Sequence, residues 1–296
     1  MNFDIKDYLK EKRAYIDDAL SDLLDLKTDD LRIVDAMTYS LMANGKRLRP
    51  ILCIAAAEAV GGQTADALPA ACALEMIHTY SLIHDDLPAM DDDNLRRGKP
   101  TCHIAFDEAT AVLAGDALLT FAFQTISQNL ESKSDPKKEM RSIAIIAKAA
   151  GHEGMISGQM LDMVSEGQKI DLTALKKMHR LKTGALIEAS LASGAVMGGG
   201  TDDDITRLSS YGQHIGLAFQ VVDDILNVEG DPSALGKAVG SDAARQKCTY
   251  PSLMGLDASK AYAQDLIKRA LHVLAAFDKK ADPLRAIARY VIERRR

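Results

Sequence analysis

The 296-residue chain contains no tryptophan, only 5% aromatic residues and four cysteines. None of the cysteines forms a CxxC pair or another close spacing, which argues against a cysteine-based zinc site. Buried free thiols are typical of a reducing compartment, so we expect a cytoplasmic protein. Residues 1–13 mix acids and bases without an apolar segment, and they predict no signal peptide.

Long apolar runs and an excess of basic residues are also absent. No uncharged apolar stretch reaches the roughly 18 residues that span a bilayer, so no membrane span is expected. The net charge is -6, whereas proteins that bind nucleic acid usually carry a basic face, so nucleic acid is not the expected partner. Apolar residues make up 47% of the chain, which is enough for a large core.

Helical periodicity runs through almost the whole chain. Apolar residues recur at spacings of three and four, and sustained period-two alternation is missing. We therefore expect an all-α fold of roughly ten helices with short connections. No linker or low-complexity segment divides the sequence, so residues 1–296 are predicted to form one domain. The clearest periodic stretches are 33–42, 64–87, 111–130, 141–163, 172–195 and 202–226.

Two acidic clusters each lie at the end of a long apolar helix. The first holds five aspartates in residues 85–93 and no glutamate. Such charges repel one another unless cations bind between them, and short Asp carboxylates suit Mg²⁺. The second places Asp223 and Asp224 in an apolar helical segment, where unpaired acids are costly to bury. A solvated loop and a polar helix end are the alternatives, but the similar placement suggests two clusters facing one cavity.

Basic residues accompany both clusters. Arg96 and Arg97 directly follow the first one, and arginine binds phosphate oxygens through paired hydrogen bonds. Gly184, next to Lys182 and Thr183, permits local unwinding of a helix. One basic residue alone is usually a surface charge, but acids and bases together match a site for two diphosphates. The other basic residues near breaks or clusters are Lys46, Arg47, Arg49, Lys237 and Lys247.

Seven segments, taken together, resemble the polyprenyl diphosphate synthase family, most closely its bacterial farnesyl type. The resemblance covers nearly the whole chain and implies the type I isoprenoid synthase fold, a helical bundle around a central cavity, and a homodimer. It implies head-to-tail condensation of isopentenyl diphosphate with dimethylallyl and geranyl diphosphate to farnesyl diphosphate, or alternatively geranylgeranyl diphosphate. The segments are GKRLRP (45–50), HDDLPAMDDDNLRRGKPTCH (84–103), LAGDALLTFAF (113–123), GQMLDM (158–163), KTGALI (182–187), FQVVDDILN (219–227) and KCTYPSLMG (247–255).

The resemblance implies three Mg²⁺ ions held by Asp85, Asp91 and Asp223. The first aspartate motif carries two extra residues around Pro88. Asp85 and Asp91 are six residues apart, which does not place them on one face of an ideal helix, so a local bulge is needed. Asp92, seven residues after Asp85, would align without a bulge and is kept as the alternative ligand.

One position departs from the family pattern. The second motif usually ends in Asp, and this chain has Asn227 there. Asn keeps an oxygen ligand but loses a charge. Because the family's last aspartate acts mostly through water, the departure bears on metal affinity more than on activity.

The resemblance also assigns the residues that contact substrate. Lys182, Thr183, Gln220 and Lys237 are implied as catalytic residues around the allylic diphosphate. His78 is a lone histidine on a helix, which is more often structural, and only the family pattern selects it. The implied substrate-binding residues are Gly45, Lys46, Arg49, His78, Arg96, Arg97, Lys182, Thr183, Gln220, Lys237 and Lys247.

Product length is assigned to the residues just before Asp85. In the family the growing chain runs toward the start of the helix that carries the aspartates. Tyr80 and Ser81 precede Asp85 by five and four residues, and a bulky Tyr80 resembles the farnesyl type. Ideal helix geometry puts Tyr80 about 140° from Asp85, so a plain core aromatic is the alternative.

Two other functions compete with this interpretation. A terpene cyclase shares the aspartate-rich magnesium chemistry but needs no isopentenyl site of the kind that residues 45–50 and Arg97 would form. A catalytically silent regulatory subunit could keep the fold while losing the aspartates. Both aspartate pairs are present here, which argues against such a subunit.

Overall fold

The computed structural model describes residues 3–26, 31–128, 135–229 and 248–293. Within these ranges the chain is almost entirely helical, as predicted, with one two-stranded antiparallel hairpin between residues 95 and 100. The elements are α1 (Ile5–Leu23), α2 (Leu31–Leu41), α3 (Leu48–Ala59), α4 (Thr64–Asp85), β1 (Leu95–Arg96), β2 (Lys99–Pro100), α5 (Cys102–Ala105), α6 (Glu108–Gln128), α7 (Pro136–Ala150), α8 (Met155–Ser165), α9 (Leu172–His179), α10 (Ala185–Met197), α11 (Asp202–Glu229), α12 (Tyr250–Met254), α13 (Leu256–Val273) and α14 (Asp282–Glu293).

The described residues form more helices than the ten expected, because two periodic stretches are interrupted. The stretch 141–163 was predicted as one helix, and this was wrong: α7 ends at Ala150 and α8 begins at Met155. Gly154 lies at the break, where a Cβ atom would sit 2.1 Å from the Ala149 carbonyl oxygen. The stretch 172–195 is interrupted by the π-helical turn Arg180–Gly184 between α9 and α10.

The core is built around three helices that are buried on nearly all sides. They are α3, α4 and α10, and α4 packs along α6 while α10 packs on α3, α7 and α11. Their buried positions hold many alanines, which bring helix axes close together. The buried apolar residues form one cluster that extends from α1 to α14. The single domain over residues 1–296 stays a prediction.

Among the described helices, α6 alone is long and apolar enough to cross a membrane by length and composition. Half of its apolar window is buried inside the protein, and the helix packs along α4. A core helix of a soluble protein has the same composition and the same packing. The absence of a membrane span therefore stays a prediction.

Glycines let α10 approach α3 backbone to backbone. A Cβ atom on Gly194 would lie 2.0 Å from the carbonyl oxygen of Cys53, and one on Gly198 would lie 2.8 Å from the Cα atom of Ala57. Neither neighbour is the end of a flexible side chain, so the helices themselves would have to move. This contact fixes the position of α10, which begins directly after the π-helical turn.

We expect Gly194→Ala to lower the free energy of unfolding by about 1–3 kcal/mol, because the added methyl group overpacks the contact between α3 and α10. Urea denaturation followed by circular dichroism measures the change. Gly184→Ala is the matched control, since its added Cβ atom would come no closer than 3.6 Å to its neighbours. Equal stability of the two variants would contradict this account.

Candidate active site

The first aspartate motif leaves the helix after Asp86 and folds back on itself. The backbone N–H of Asp91 donates to the carbonyl oxygen of Asp85 at 2.9 Å, and Asp92 has a left-handed backbone with φ of 50°. The turn thus brings Asp91 beside Asp85, whereas Asp92 is exposed. This turn is the expected bulge. Because the chain is not helical here, Asp85 and Asp91 can lie side by side although they are six residues apart.

The carboxylates at the end of α4 influence one another. Burial, helped by the charge of Asp91, raises the pKa of Asp85 to about 6, although the charge of Lys182 acts to lower it. A half-buried carboxylate beside a second carboxylate is the environment that a divalent cation stabilises. The donor set is oxygen only and includes no thiol, which fits Mg²⁺.

Asp86 has a different role from Asp85. It is 3% exposed, and Arg96 donates to both of its oxygens from Nε at 2.8 and 2.9 Å and from Nη2 at 2.5 Å. The pair ties the β1–β2 hairpin to the end of α4. Two nitrogens of Arg96 hold Asp86 in the structure, and its predicted contact with substrate stays a prediction. The bonds to Asp86 do not use Nη1.

The π-helical turn carries Lys182 and Thr183, as the unwinding at Gly184 predicted. Lys182 Nζ donates to Asp162 Oδ2 at 2.6 Å. The backbone of α8 touches the turn, because a Cβ atom on Gly158 would lie 2.0 Å from the backbone nitrogen of Lys182. Turns of this kind often mark functional sites.

Asp162 was not singled out from the sequence, although GQMLDM was noted as a family segment. Its burial in α8 and its ion pair with Lys182 show that it belongs to this site. An acid in an otherwise apolar helix was the signal that could have identified it.

The second aspartate motif lies on α11, which packs against the π-helical turn. Gln220 Nε2 lies 3.5 Å from Asp223 Oδ2, so these two predicted residues share a face. Asp224 is 9% exposed and accepts a hydrogen bond of 2.9 Å from the backbone N–H of Tyr250. The two aspartates of the motif therefore point to different surroundings. Asn227 follows on the same helix.

A separate cluster of positive charge surrounds His78. Burial lowers the pKa of Arg49 to about 10, and its buried Nε has no hydrogen-bond partner among the described residues. Burial and the charges of Arg49 and Arg97 hold the pKa of His78 well below its usual range. Gly45 admits Arg97, whose Nη1 would lie 2.8 Å from a Cβ atom at that glycine. A half-buried cluster of cations, with a buried donor that no described residue uses, is suited to an anion.

Several of the predicted substrate-binding residues lie in this cluster, and their contacts with substrate stay predictions. The structure brings Gly45, Arg49, His78 and Arg97 together, and Lys46 is exposed on the same loop. His78, which sequence reasoning alone could not separate from a structural histidine, lies among the arginines. Lys237 and Lys247 fall outside the described residues.

The two residues assigned to product length differ in their surroundings. Tyr80 is 5% exposed, and its ring meets that of His84 edge-on at 5.7 Å. Burial and the charge of Asp85 raise the pKa of Tyr80 to about 12. The Ser81 hydroxyl donates to the carbonyl oxygen of His78 in its own helix. Tyr80 is therefore the bulky group near the acids.

Within the described residues, no group of three or more Asp, Glu, His or Cys side chains is close enough to hold a metal ion alone. Asp85 and Asp91 lie at the end of α4, and Asp223 lies on α11. An ion shared by these helices would need further oxygens, such as those of a phosphate.

A sequence model of the polyprenyl synthetase family matches residues 31–288. The large subunit 1 of a heterodimeric geranylgeranyl pyrophosphate synthase from Arabidopsis thaliana is 49% identical, over 99% of this chain and 80% of that protein. An FPP/GFPP synthase from Zymomonas mobilis has a similar structure, with a TM-score of 0.87, 39% identity, and coverage of 99% of this chain and 100% of that one.

A geranylgeranyl pyrophosphate synthetase from Pyrococcus horikoshii superimposes with a TM-score of 0.89 at 32% identity, over 98% of both chains. These structures have the type I isoprenoid synthase fold, which confirms the expected fold class. The match to the family model spans most of the chain, including both aspartate motifs and the arginine cluster around His78. The chain therefore belongs to the polyprenyl synthetase family, whose members are prenyltransferases.

Proposed function

We propose that the protein condenses isopentenyl diphosphate head to tail with allylic diphosphates. One observation carries the proposal: His78 on α4 lies among arginines, and an acid pair lies at Asp85 at the end of the same helix. Seven residues separate the two positions, which is about 10.5 Å along the helix and within about 20° of the same face. The face thus offers one metal-dependent and one metal-free diphosphate site.

The allylic substrate would bind at the acid end. Asp85, Asp91 and Asp223 would hold Mg²⁺, expected as three ions, which when bound would neutralise the diphosphate and stabilise it as a leaving group. Lys182 lies close enough to Asp85 to lower its pKa and would approach the same phosphates. Thr183 and Gln220 would direct their oxygen atoms toward the developing allylic cation.

Isopentenyl diphosphate would bind among Lys46, Arg49, His78 and Arg97. The Nε of Arg49 supports this assignment, because no described residue accepts from it and a phosphate oxygen would supply the acceptor. The carbon–oxygen bond of the allylic substrate breaks, and the double bond of isopentenyl diphosphate forms a bond to the freed carbon. The departed diphosphate takes the proton that is lost, so no protein nucleophile is needed.

Product length has two candidates. Most of the similar curated proteins are named as geranylgeranyl diphosphate synthases, which favours a twenty-carbon product. Tyr80, buried beside the acids, favours the fifteen-carbon farnesyl product. Product analysis after incubation with dimethylallyl diphosphate, isopentenyl diphosphate and Mg²⁺ decides between them. Conversion of the allylic substrate without isopentenyl diphosphate would instead indicate a cyclase.

The partner of the chain is proposed to be a second copy. Helix α8 exposes an apolar stripe at intervals of three and four residues, which soluble monomers rarely leave open. Such an apolar stripe can pack against the same stripe of a second copy related by a two-fold axis. The exposed residues of α8 are Ile156, Met160, Met163 and Val164.

A cytoplasmic location stays a proposal, since the chloroplastic relatives are named for their own location.

We expect Asp85→Asn to lose at least about 100-fold in turnover while the fold persists, because the change is nearly isosteric and removes a charge from the metal site. Turnover and the circular dichroism spectrum are measured for both proteins. Asp92→Asn is the matched control, since Asp92 is exposed whereas Asp85 is half-buried. Greater loss in Asp92→Asn than in Asp85→Asn would reverse the ligand assignment.

We expect Tyr80→Ala to lengthen the main product by at least one five-carbon unit relative to the wild type, because it opens space beside the acids. Ser81→Ala is the control, and it should leave the product unchanged since the Ser81 hydroxyl bonds its own helix. Chromatography of the dephosphorylated products measures their length. An active Tyr80→Ala variant with the wild-type product would show that Tyr80 is a plain core aromatic.

We expect Met160→Lys to convert a wild-type dimer into monomers, because it places a charge in the α8 stripe, where Met160 is 57% exposed. Light scattering after size-exclusion chromatography gives the mass. Leu253→Lys, at an exposed apolar position on α12, should remain dimeric. A wild-type monomer, or a dimer that Met160→Lys leaves intact, would contradict the proposed interface.

A further inference from the structure

One buried acid beside the arginine cluster has no part in the proposed condensation. Glu75 lies on α4, three residues before His78, and is 2% exposed. Ten residues separate it from Asp85, about 15 Å along the helix, which is too far for a share in the acid pair. A carboxylate buried to this degree needs a compensating charge.

Arg47 supplies that charge. It is 3% exposed, and its Nη1 donates to Glu75 Oε1 at 2.8 Å. Its Nε donates to Asp17 at 2.7 Å, and its Nη2 donates to the carbonyl oxygen of Leu41 at 2.8 Å. The guanidinium thus connects α1, the end of α2 and α4 through one side chain.

The backbone around Arg47 is fixed at the same time. Arg47 precedes α3 with a left-handed φ of 49°, a conformation that a non-glycine residue holds only when its surroundings enforce it. Lys46 comes directly before it, and Arg49 comes two residues after it. The bonds to Arg47 therefore set where both of these cations point.

The charge of Glu75 also reaches two arginines that are proposed to bind substrate. It raises the pKa of both Arg49 and Arg97, against burial, which lowers them. The two arginines act on each other in the opposite sense, as like charges do. Because Arg49 Nε has no hydrogen-bond partner in the described part of the chain, Glu75 offsets the repulsion without using this donor.

We infer that Glu75 is a positioning residue for isopentenyl diphosphate: through Arg47, and by offsetting repulsion among the arginines, it holds Arg49 and Arg97 ready for the diphosphate. The inference rests on the proposed function. Two effects of Glu75 on binding have opposite signs. Its negative charge alone repels a diphosphate, so removal would tighten binding, whereas loss of positioning would weaken it.

Glu75→Gln separates the two effects, since it keeps the shape and removes the charge. We expect the KM for isopentenyl diphosphate to rise about tenfold, with kcat and the KM for the allylic substrate within about twofold of wild type. Glu75→Asp keeps the charge on a shorter side chain, and its KM for isopentenyl diphosphate should lie between those of the wild type and Glu75→Gln. Steady-state kinetics with each substrate varied in turn measure these values.

Glu58→Gln is the matched control. Glu58 is a partly buried carboxylate that forms an ion pair with Lys12 at 2.6 Å. It contacts α1 and does not belong to the cluster around His78. The same substitution there should leave the KM for isopentenyl diphosphate unchanged. Thermal unfolding of both variants shows whether they lose comparable stability, which separates a structural effect from a positioning effect.

An unchanged or lower KM for isopentenyl diphosphate in Glu75→Gln would overturn the inference, as would equal rises in both KM values. If Glu75→Gln does not fold, Arg47→Lys carries the test, because one ammonium group cannot make the three bonds of the guanidinium. Wild-type protein that does not consume isopentenyl diphosphate would overturn the proposed function itself. If the wild-type protein consumes isopentenyl diphosphate but Glu75→Gln leaves its KM unchanged, only the positioning role would be overturned.

Discussion

Repulsion between like charges is the constraint on which this site depends. The C-terminal half of α4 carries carboxylates at one end and borders a group of arginines two turns earlier. Each cluster contains one pair that offsets part of its charge inside the protein: Arg96 with Asp86, and Glu75 with Arg47. The charge that remains is negative at the end of α4 and positive around His78. One helix thus borders two clusters of opposite net charge, an arrangement that suits the two diphosphate substrates proposed above.

Holding those clusters in place requires close contacts between backbones. The π-helical turn approaches α8 at Gly158 and α11 at Gly216, where a Cβ atom would lie 2.0 Å and 3.0 Å from backbone atoms of the turn. Larger residues at either glycine would push Lys182 away from Asp162. The ion pair between Lys182 and Asp162, 2.6 Å long, therefore depends on this close packing. A shift of the turn by the width of one side chain would separate the two charges.

The helices and the acidic clusters could be predicted from the sequence, whereas the helix break and the buried ion pairs could not. The helices followed from periodicity, and the two acidic clusters followed from groups of aspartates at the ends of apolar segments. The division between α7 and α8 did not, because Gly151 and Gly154 weaken a helix without forbidding it. Asp162 and Glu75 were overlooked for a shared reason: each is an acid between apolar neighbours, and its partner is distant in sequence. Pairing of that kind depends on tertiary contacts, which periodicity does not encode.

The structure also explains why each motif contains two adjacent aspartates. Asp85 and Asp223 are half-buried, whereas Asp86 and Asp224 are buried and hold the chain that comes after their motif. Asp86 holds the β1–β2 hairpin through Arg96, and Asp224 holds the start of α12 through the backbone of Tyr250. Adjacent residues on a helix point about 100° apart, so one can face the substrate while the other faces the scaffold. A doublet thus couples the position of a proposed metal ligand to the segment that follows it, which a single aspartate could not do.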